Sequence, residues 1–199
     1  MTYEGLKSFQ QAAVIYDFTQ KFCHKYINKK SRTYEQMVQA ARSGKQNIAE
    51  GSSNSREKPK SEVFLLAIAS ASLKELLEDY KDFLRQKKLE IWGQDNMQAR
   101  QARALVYRLD KSDRSNKLYE KYLNEPSQAA NIIICLINQT TYLIDQQIRA
   151  VKKQMETKGI GSETHNQKLK RITLERKKKN EEFDKKLKEI IEGKRKNLD

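Results

Sequence analysis

The feature that most constrains this chain is the spacing of apolar residues between Lys60 and Lys88. Leu66, Ala69, Leu73, Leu76, Tyr80 and Phe83 follow one another in alternating steps of three and four. A strand puts every second residue on one face, whereas steps of three and four collect residues on one side of a helix. Val63, Phe64, Ile68, Leu77 and Leu84 thicken the same stripe. A helix this long with so broad an apolar stripe must pack against several others, so the chain is committed to a helical assembly.

The remaining chain repeats the pattern. Leu6 to Ile27 reads as a helix with Phe9, Ala12, Tyr16, Thr19 and Cys23 in its stripe and Ile15, Phe18, Phe22 and Tyr26 widening it. Asn28 to Ser31 is a polar turn. Thr33 to Glu50 is the second helix, striped by Tyr34, Met37, Ala41, Gly44 and Ile48. Gly51 is expected just past its end, where a positive φ is wanted, and Ser52 to Glu57 is expected to be a loop. Pro59 suits the first turn of the third helix, where a missing N–H is harmless. Within 89–125, Met97 to Leu109 and Leu118 to Leu123 are expected to be short helices separated by Lys111 to Lys117. Pro126 opens the last long helix, Ser127 to Glu156, whose seam is Ile133, Ile137, Thr140, Ile144, Ile148, Val151 and Met155. Thr157 to Glu163, with Gly159 and Gly161, reads as a break before a thinly seamed helix, Thr164 to Gly193. The expected fold is all-α: an up-down four-helix bundle over 1–156 with an inserted helical segment 89–125, followed by a basic helical tail over 157–199.

Charge narrows the partners. The chain of 199 residues carries 40 basic and 26 acidic side chains, a net of +14. Residues 149–199 alone hold 17 basic and nine acidic, so about a quarter of the length supplies +8. A basic tail on a mildly basic body suits a polyanion, through Coulomb attraction and counterion release. The two cysteines, Cys23 and Cys135, form no CxxC pair and read as buried free thiols. Met1 to Lys7 shows no basic region followed by an apolar core, and the longest apolar run is Val63 to Ala69. Neither a signal peptide nor a membrane span is read, so a cytoplasmic protein is expected.

Enzyme signatures fail one by one. A di-iron bundle needs Glu-x-x-His on two helices, and neither His24 nor His165 follows a Glu by three residues. Nor does an Arg stand four to six residues before either histidine, as in small helical ribonucleases. Adjacent Cys23 and His24 would point about 100° apart on a helix, which is poor for proton transfer. Gly159-Ile-Gly161 follows no strand and lacks the third glycine of a dinucleotide loop. Glu75, Glu78, Asp79 and Asp82 are interleaved with Lys74, Lys81 and Arg85, the pattern of a solvated, ion-paired face. No catalytic residue, metal or cofactor is expected.

The segment from Gln36 to Gly51 has its own logic. Ala40, Ala41, Ser43 and Gly44 are small enough for a second helix to approach, and Asn47 can bond a neighbouring backbone. Asn47-Ile48-Ala49-Glu50-Gly51 resembles the signature of the bacterial four-helix-bundle proteins named for the intervening sequences of 23S rRNA that encode some of them. Phe64-Leu-Leu-Ala-Ile-Ala-Ser-Ala-Ser-Leu-Lys-Glu-Leu76 resembles the third-helix pattern of that family. Asp79 to Phe83, Leu89 to Trp92 and Ala130 to Asn138 resemble a subgroup with a C-terminal suffix region. The resemblance implies a homo-oligomer, often a five-fold barrel, with no assigned enzymatic activity. A related branch works beside a reverse transcriptase and binds nucleic acid through a basic surface, which implies the same kind of partner here. Where the family often has basic residues early in the second helix, this chain has Val38 and Gln39. It also has Gly44-Lys45-Gln46 where an apolar residue and a proline are common, leaving Arg42 and Lys45 as the basic residues of that helix.

The functional expectation is a non-enzymatic oligomer that binds RNA, or less readily DNA, through phosphates. Lys168, Lys170, Arg171, Arg176, Lys177, Lys178 and Lys179 would form the strip, with Arg149, Lys152 and Lys153 at its root. The alternative is a protein-interaction scaffold that docks through Leu169, Ile172, Phe183, Leu187 and Ile190.

Overall fold

A computed structural model describes residues 3–53, 59–93, 95–105, 117–157 and 172–183. Helix is the regular secondary structure of the described residues, with no strand among them. Among the described residues up to Thr157, six α-helices follow a short 3-10 turn at Tyr3–Gly5: α1 (Lys7–Tyr26), α2 (Arg32–Ser53), α3 (Pro59–Gln86), α4 (Met97–Leu105), α5 (Lys117–Glu120) and α6 (Pro126–Thr157); residues 172–183 are helical as well. The chain divides into two compact units, Met1–Lys153 and Gln154–Asp199. No helix among the described residues is long and apolar enough to cross a membrane.

Local chemistry sets most helix ends. Asn28 accepts the Lys30 N–H at 3.0 Å, and the Ser31 hydroxyl accepts the Tyr34 N–H at 3.3 Å, so the polar turn hands directly into α2. Pro59 and Pro126 stand at the first positions of α3 and α6. The Glu125 carboxylate accepts the Ser127 and Gln128 N–H groups at 3.1 and 2.6 Å, capping orphan donors next to the positive end of the helix dipole. Asn96 does the same for α4, accepting from Gln98 and Ala99. Helix α3 stops through Lys88, whose φ of 56° lets the Leu89 N–H reach back to the Leu84 carbonyl at 2.9 Å. That left-handed turn is commonly made by glycine, and a side-chain-bearing residue there costs roughly 1–2 kcal/mol.

The core of the first unit is where α1 meets its neighbours. Phe22 packs on Tyr80 and Phe83 of α3 with ring centroids 4.8 and 4.9 Å apart, and the buried Tyr80 hydroxyl donates to Thr19 at 3.0 Å. Each such buried ring contributes about 1.5–3 kcal/mol. On the α6 side the seam is partly polar: Ser8 donates to Gln147 at 2.7 Å and Thr140 donates to Gln11 at 2.9 Å. The Cys23 thiol lies 3.8 Å from the Met37 sulfur of α2. Of the expected α1 stripe, Ala12, Thr19 and Cys23 are buried together with Ile15, Phe18 and Phe22, while Phe9 and Tyr16 sit at the margin of the buried face.

Between α2 and α3 the backbones come close. A Cβ on Gly44 would lie 2.8 Å from two carbons of the Leu73 side chain, and one on Gly51 would lie 3.2 Å from the Leu65 Cβ. Gly51 is thus a correction to the sequence reading. It does not terminate α2 but sits buried inside it, because α3 passes too near for a side chain. Helix α2 runs on through Ser52 and Ser53, while 54–57 of the expected loop lie outside the described residues. Phe64 is a second correction: it is 65% exposed and adds nothing to the α3 seam.

The segment after α3 wraps α6. The Asn131 side chain, 1% exposed, accepts the Trp92 N–H at 2.8 Å and donates to the Glu90 carbonyl at 2.8 Å. Farther along, Gln139 donates to the Arg103 carbonyl at 3.3 Å. Lys25 and Tyr26 of α1 reach the Leu123 carbonyl at 3.0 and 2.6 Å, and Lys21 forms an ion pair with Glu120. With covering on both sides, every residue from Asn131 to Ile137 is buried. The last four residues of the expected helix 97–109 and most of the polar stretch 111–117 lie outside the described residues.

Candidate nucleic-acid interface

The basic residues singled out from sequence fall into three places. Arg149, Lys152 and Lys153 are exposed near the end of α6. Their spacing of three and one puts them on one side of the helix, away from the buried Val151. In the second unit, residues 172–183 are helical and Arg176, Lys177, Lys178 and Lys179 are all exposed. Four successive helical residues fan around most of the circumference, so this run offers charge in several directions. It is also tempered by acids: Glu175, Glu181 and Glu182 flank it, and Lys177 lies 4.0 Å from Glu181. Lys168, Lys170 and Arg171 lie outside the described residues, as do Leu169, Leu187 and Ile190 of the expected tail seam. Of that seam Ile172 is half-buried, Phe183 is 65% exposed, and the neighbouring Leu174 is 57% exposed.

Arg42 and Lys45 on α2 behave differently. Arg42 is exposed, whereas the Lys45 ammonium stands 4.2 Å from the centre of the Tyr16 ring on α1. A cation held over a ring is partly engaged, an attraction of about 0.5–1 kcal/mol at exposed sites.

The five residues of the family-like signature form packing rather than a pocket. Ile48 is fully buried, Ala49 is half-buried, and Gly51 is pressed on α3. Asn47 donates to the Ser43 carbonyl at 2.9 Å and the Ser43 hydroxyl at 3.2 Å, so it bonds its own helix and not a neighbouring backbone. Ser43 in turn meets Ser72 of α3 at 2.9 Å. Glu50 is exposed.

The groups weighed for catalysis are set apart. Burial pushes the Cys23 thiol up to about 12, with Asp79 adding a smaller push in the same direction. His24 faces outward, 2.9 Å from the Lys29 ammonium. On α3, Lys81 pairs with Glu78 at 2.7 Å and Arg85 with Asp82 at 2.9 Å, the ion-paired face expected from the sequence. Asp79 is raised chiefly by burial and then by Asp82 and Glu75. Among the described residues no group of three His, Cys, Asp or Glu is placed to hold a metal ion.

One constellation escaped the sequence reading. Lys7 of α1 and Arg100 and Arg103 of α4 line a cavity of about 840 Å³ beside α6, together with Trp92 and Tyr142. Positions so far apart in the chain share no spacing signal; only the folding of 89–105 onto α6 brings them together. No family model, curated protein or solved structure matches this chain.

Proposed function

We propose that this chain is a non-enzymatic, homo-oligomeric bundle protein of the cytoplasm that binds nucleic acid, RNA in preference to DNA, through phosphate contacts. The observation that carries the reading is the exposure of Arg149, Lys152, Lys153 and the run Arg176–Lys179 in a chain of net charge +14. Long-stemmed cations contact phosphates without reading sequence, and each neutralised phosphate releases counterions. In this reading α1, α2, α3 and α6 form an up-down four-helix bundle of the 23S rRNA intervening-sequence type. Contact register supports that arrangement: Ser8 with Gln147 and Gln11 with Thr140 run antiparallel, as do Ser43 with Ser72 and Gly51 with Leu65. Exposed Phe64, with Ala67 and Ala71 exposed on the same side of α3, is the surface for self-association, to a pentamer in the arrangement the resemblance implies. A reverse transcriptase is the protein partner that the same resemblance suggests.

The test is fluorescence anisotropy with labelled single-stranded RNA and duplex DNA at two salt concentrations. If six phosphates are neutralised, single-strand affinity falls roughly 300-fold between 50 and 200 mM salt. Replacing Arg176, Lys177, Lys178 and Lys179 with Gln lowers both affinity and salt slope. Salt-independent or absent binding overturns the reading. Exposed Leu174 and Phe183 favour a second one, a scaffold that docks another protein through its tail. In that case Leu174→Ser and Phe183→Ser abolish partner capture while the lysine substitutions do not. Sedimentation at tens of micromolar decides self-association, and a monomer alone rejects it.

A further inference from the structure

The cavity beside Trp92 belongs to the first unit and owes nothing to the basic tail. Its volume, about 840 Å³, lies within the range of small-molecule sites. Two kinds of group converge on it. Lys7, Arg100 and Arg103 bring three basic side chains to its lining, and Asp95 is the carboxylate among the described residues that line it. Asp95 pairs with Arg100 at 3.3 Å, but both are well exposed, and such pairs are worth little and are readily exchanged for a stronger anion. Trp92 and Tyr142 bring two aromatic side chains, and Tyr142 is 63% exposed although it follows the buried Thr140 and Thr141 on α6.

The wall is built rather than incidental. The backbone that carries Trp92 is fixed by the Asn131 side-chain oxygen, which accepts the Trp92 main-chain N–H at 2.8 Å. Arg103 is held at its carbonyl by Gln139 and hydrogen-bonds the Cys135 thiol through its side chain. Asn138 lines the same cavity from the exposed side of α6 and presents an amide able both to donate and to accept. Cations alone would suit any anion, and rings alone any apolar molecule. A ligand that uses both must carry an anionic group and a flat π-face, with polar edges for an amide.

We propose that this cavity binds a nucleoside phosphate, either a free nucleotide or one nucleotide of a single strand. The base lies against Trp92 and Tyr142, and the phosphate lies among Lys7, Arg100 and Arg103. Stacking of a base on an aromatic side chain is worth about 1–3 kcal/mol, and hydrogen bonds to charged groups add to it. The site does not depend on the tail reading and goes beyond it, since it recognises a base as well as a phosphate.

Trp92 is the only tryptophan in the chain, so its fluorescence reports the cavity directly. The full-length protein is titrated with adenosine monophosphate, inorganic phosphate, adenosine and a short oligoadenylate. Adenosine monophosphate is expected to change the emission saturably, with phosphate or adenosine alone at least about tenfold weaker, the loss of one good charged or stacked contact. Lys7→Gln with Arg100→Gln, and separately Tyr142→Ala, weaken the nucleotide about tenfold. All three residues are exposed, so the variants keep the fold, which circular dichroism verifies. Tighter binding by the oligoadenylate identifies a strand as the ligand, and tighter binding by the monophosphate identifies a free nucleotide. Four results overturn the proposal: no response to either nucleotide form, phosphate binding as well as the nucleotide, adenosine doing so, or variants that bind like the parent. If Trp92 is silent while RNA anisotropy still responds to the Arg176–Lys179 substitutions, this site falls and the tail reading stands. A saturating Trp92 signal without RNA binding separates them in the other direction.

Discussion

The first and second halves of α6 share one unbroken apolar seam but live in different surroundings. From Asn131 to Ile137 seven residues in succession are buried, with α1 on one side and the segment from Glu90 to Arg103 on another. From Arg149 to Thr157 only Val151 is buried and Met155 half-buried. The difference lies in the number of neighbours, not in helix propensity. A helix with one partner buries one stripe, and a helix with partners on several sides buries its whole circumference. The polar residues follow the same logic: Asn131 is buried because its amide completes the backbone groups of Glu90 and Trp92, while Lys152 stays in water.

The sharpest way to break this contrast is to remove equal volume from both halves. Ile133→Ala, at a fully buried position, is expected to destabilise by about 2–5 kcal/mol, and Ile148→Ala, half-buried, by clearly less. Urea denaturation measures both, and equal losses would mean that the two halves are equally encased. Next in size is Asn131→Ala. It strands the Trp92 N–H and the Glu90 carbonyl, for about 1–3 kcal/mol, and the emission of Trp92 moves to the red as its segment loosens. Unchanged stability and emission would show that the wrapping of α6 rests on apolar packing alone. The smallest effect on stability belongs to the exposed end. Arg149→Gln, Lys152→Gln and Lys153→Gln together leave the unfolding free energy within about 0.5 kcal/mol. The same triple variant lowers the salt slope of RNA binding by about 2, because three phosphate contacts go. A large loss of stability would place those side chains in the packing and not at an interface.

Sequence spacing revealed the long helices because each buries a stripe with the helical period, and that period survives any arrangement of neighbours. All six residues of the α3 seam, from Leu66 to Phe83, are buried as their steps of three and four require. Phe64 shows where spacing fails: it stands at the edge of an apolar run, and its exposure depends on which elements pass nearby. Gly51 shows the same limit differently. A glycine after a helical pattern suits a terminus, but here close approach of α3 uses its missing side chain inside the helix. In the candidate interface, the basic residues were visible as a charge run, since charge density is local in sequence. Lys45 reads as one more cation in the sequence, yet its ammonium lies over the Tyr16 ring, and the cavity at Trp92 leaves no trace in spacing at all.

The amino-acid sequence by itself determined the helical class, the polar turn before α2, the proline starts of α3 and α6, the apolar seams and the excess of positive charge. Each depends on residues within a few positions of one another, so a linear reading contains it. Only the tertiary structure decided that Asn131 would clamp the segment before α4, that α2 and α3 would meet across two glycines, and that Lys7, Arg100, Arg103, Trp92 and Tyr142 would share one cavity. Those outcomes depend on groups distant in the chain finding one another, and no period in a sequence encodes a partner that is itself placed by packing.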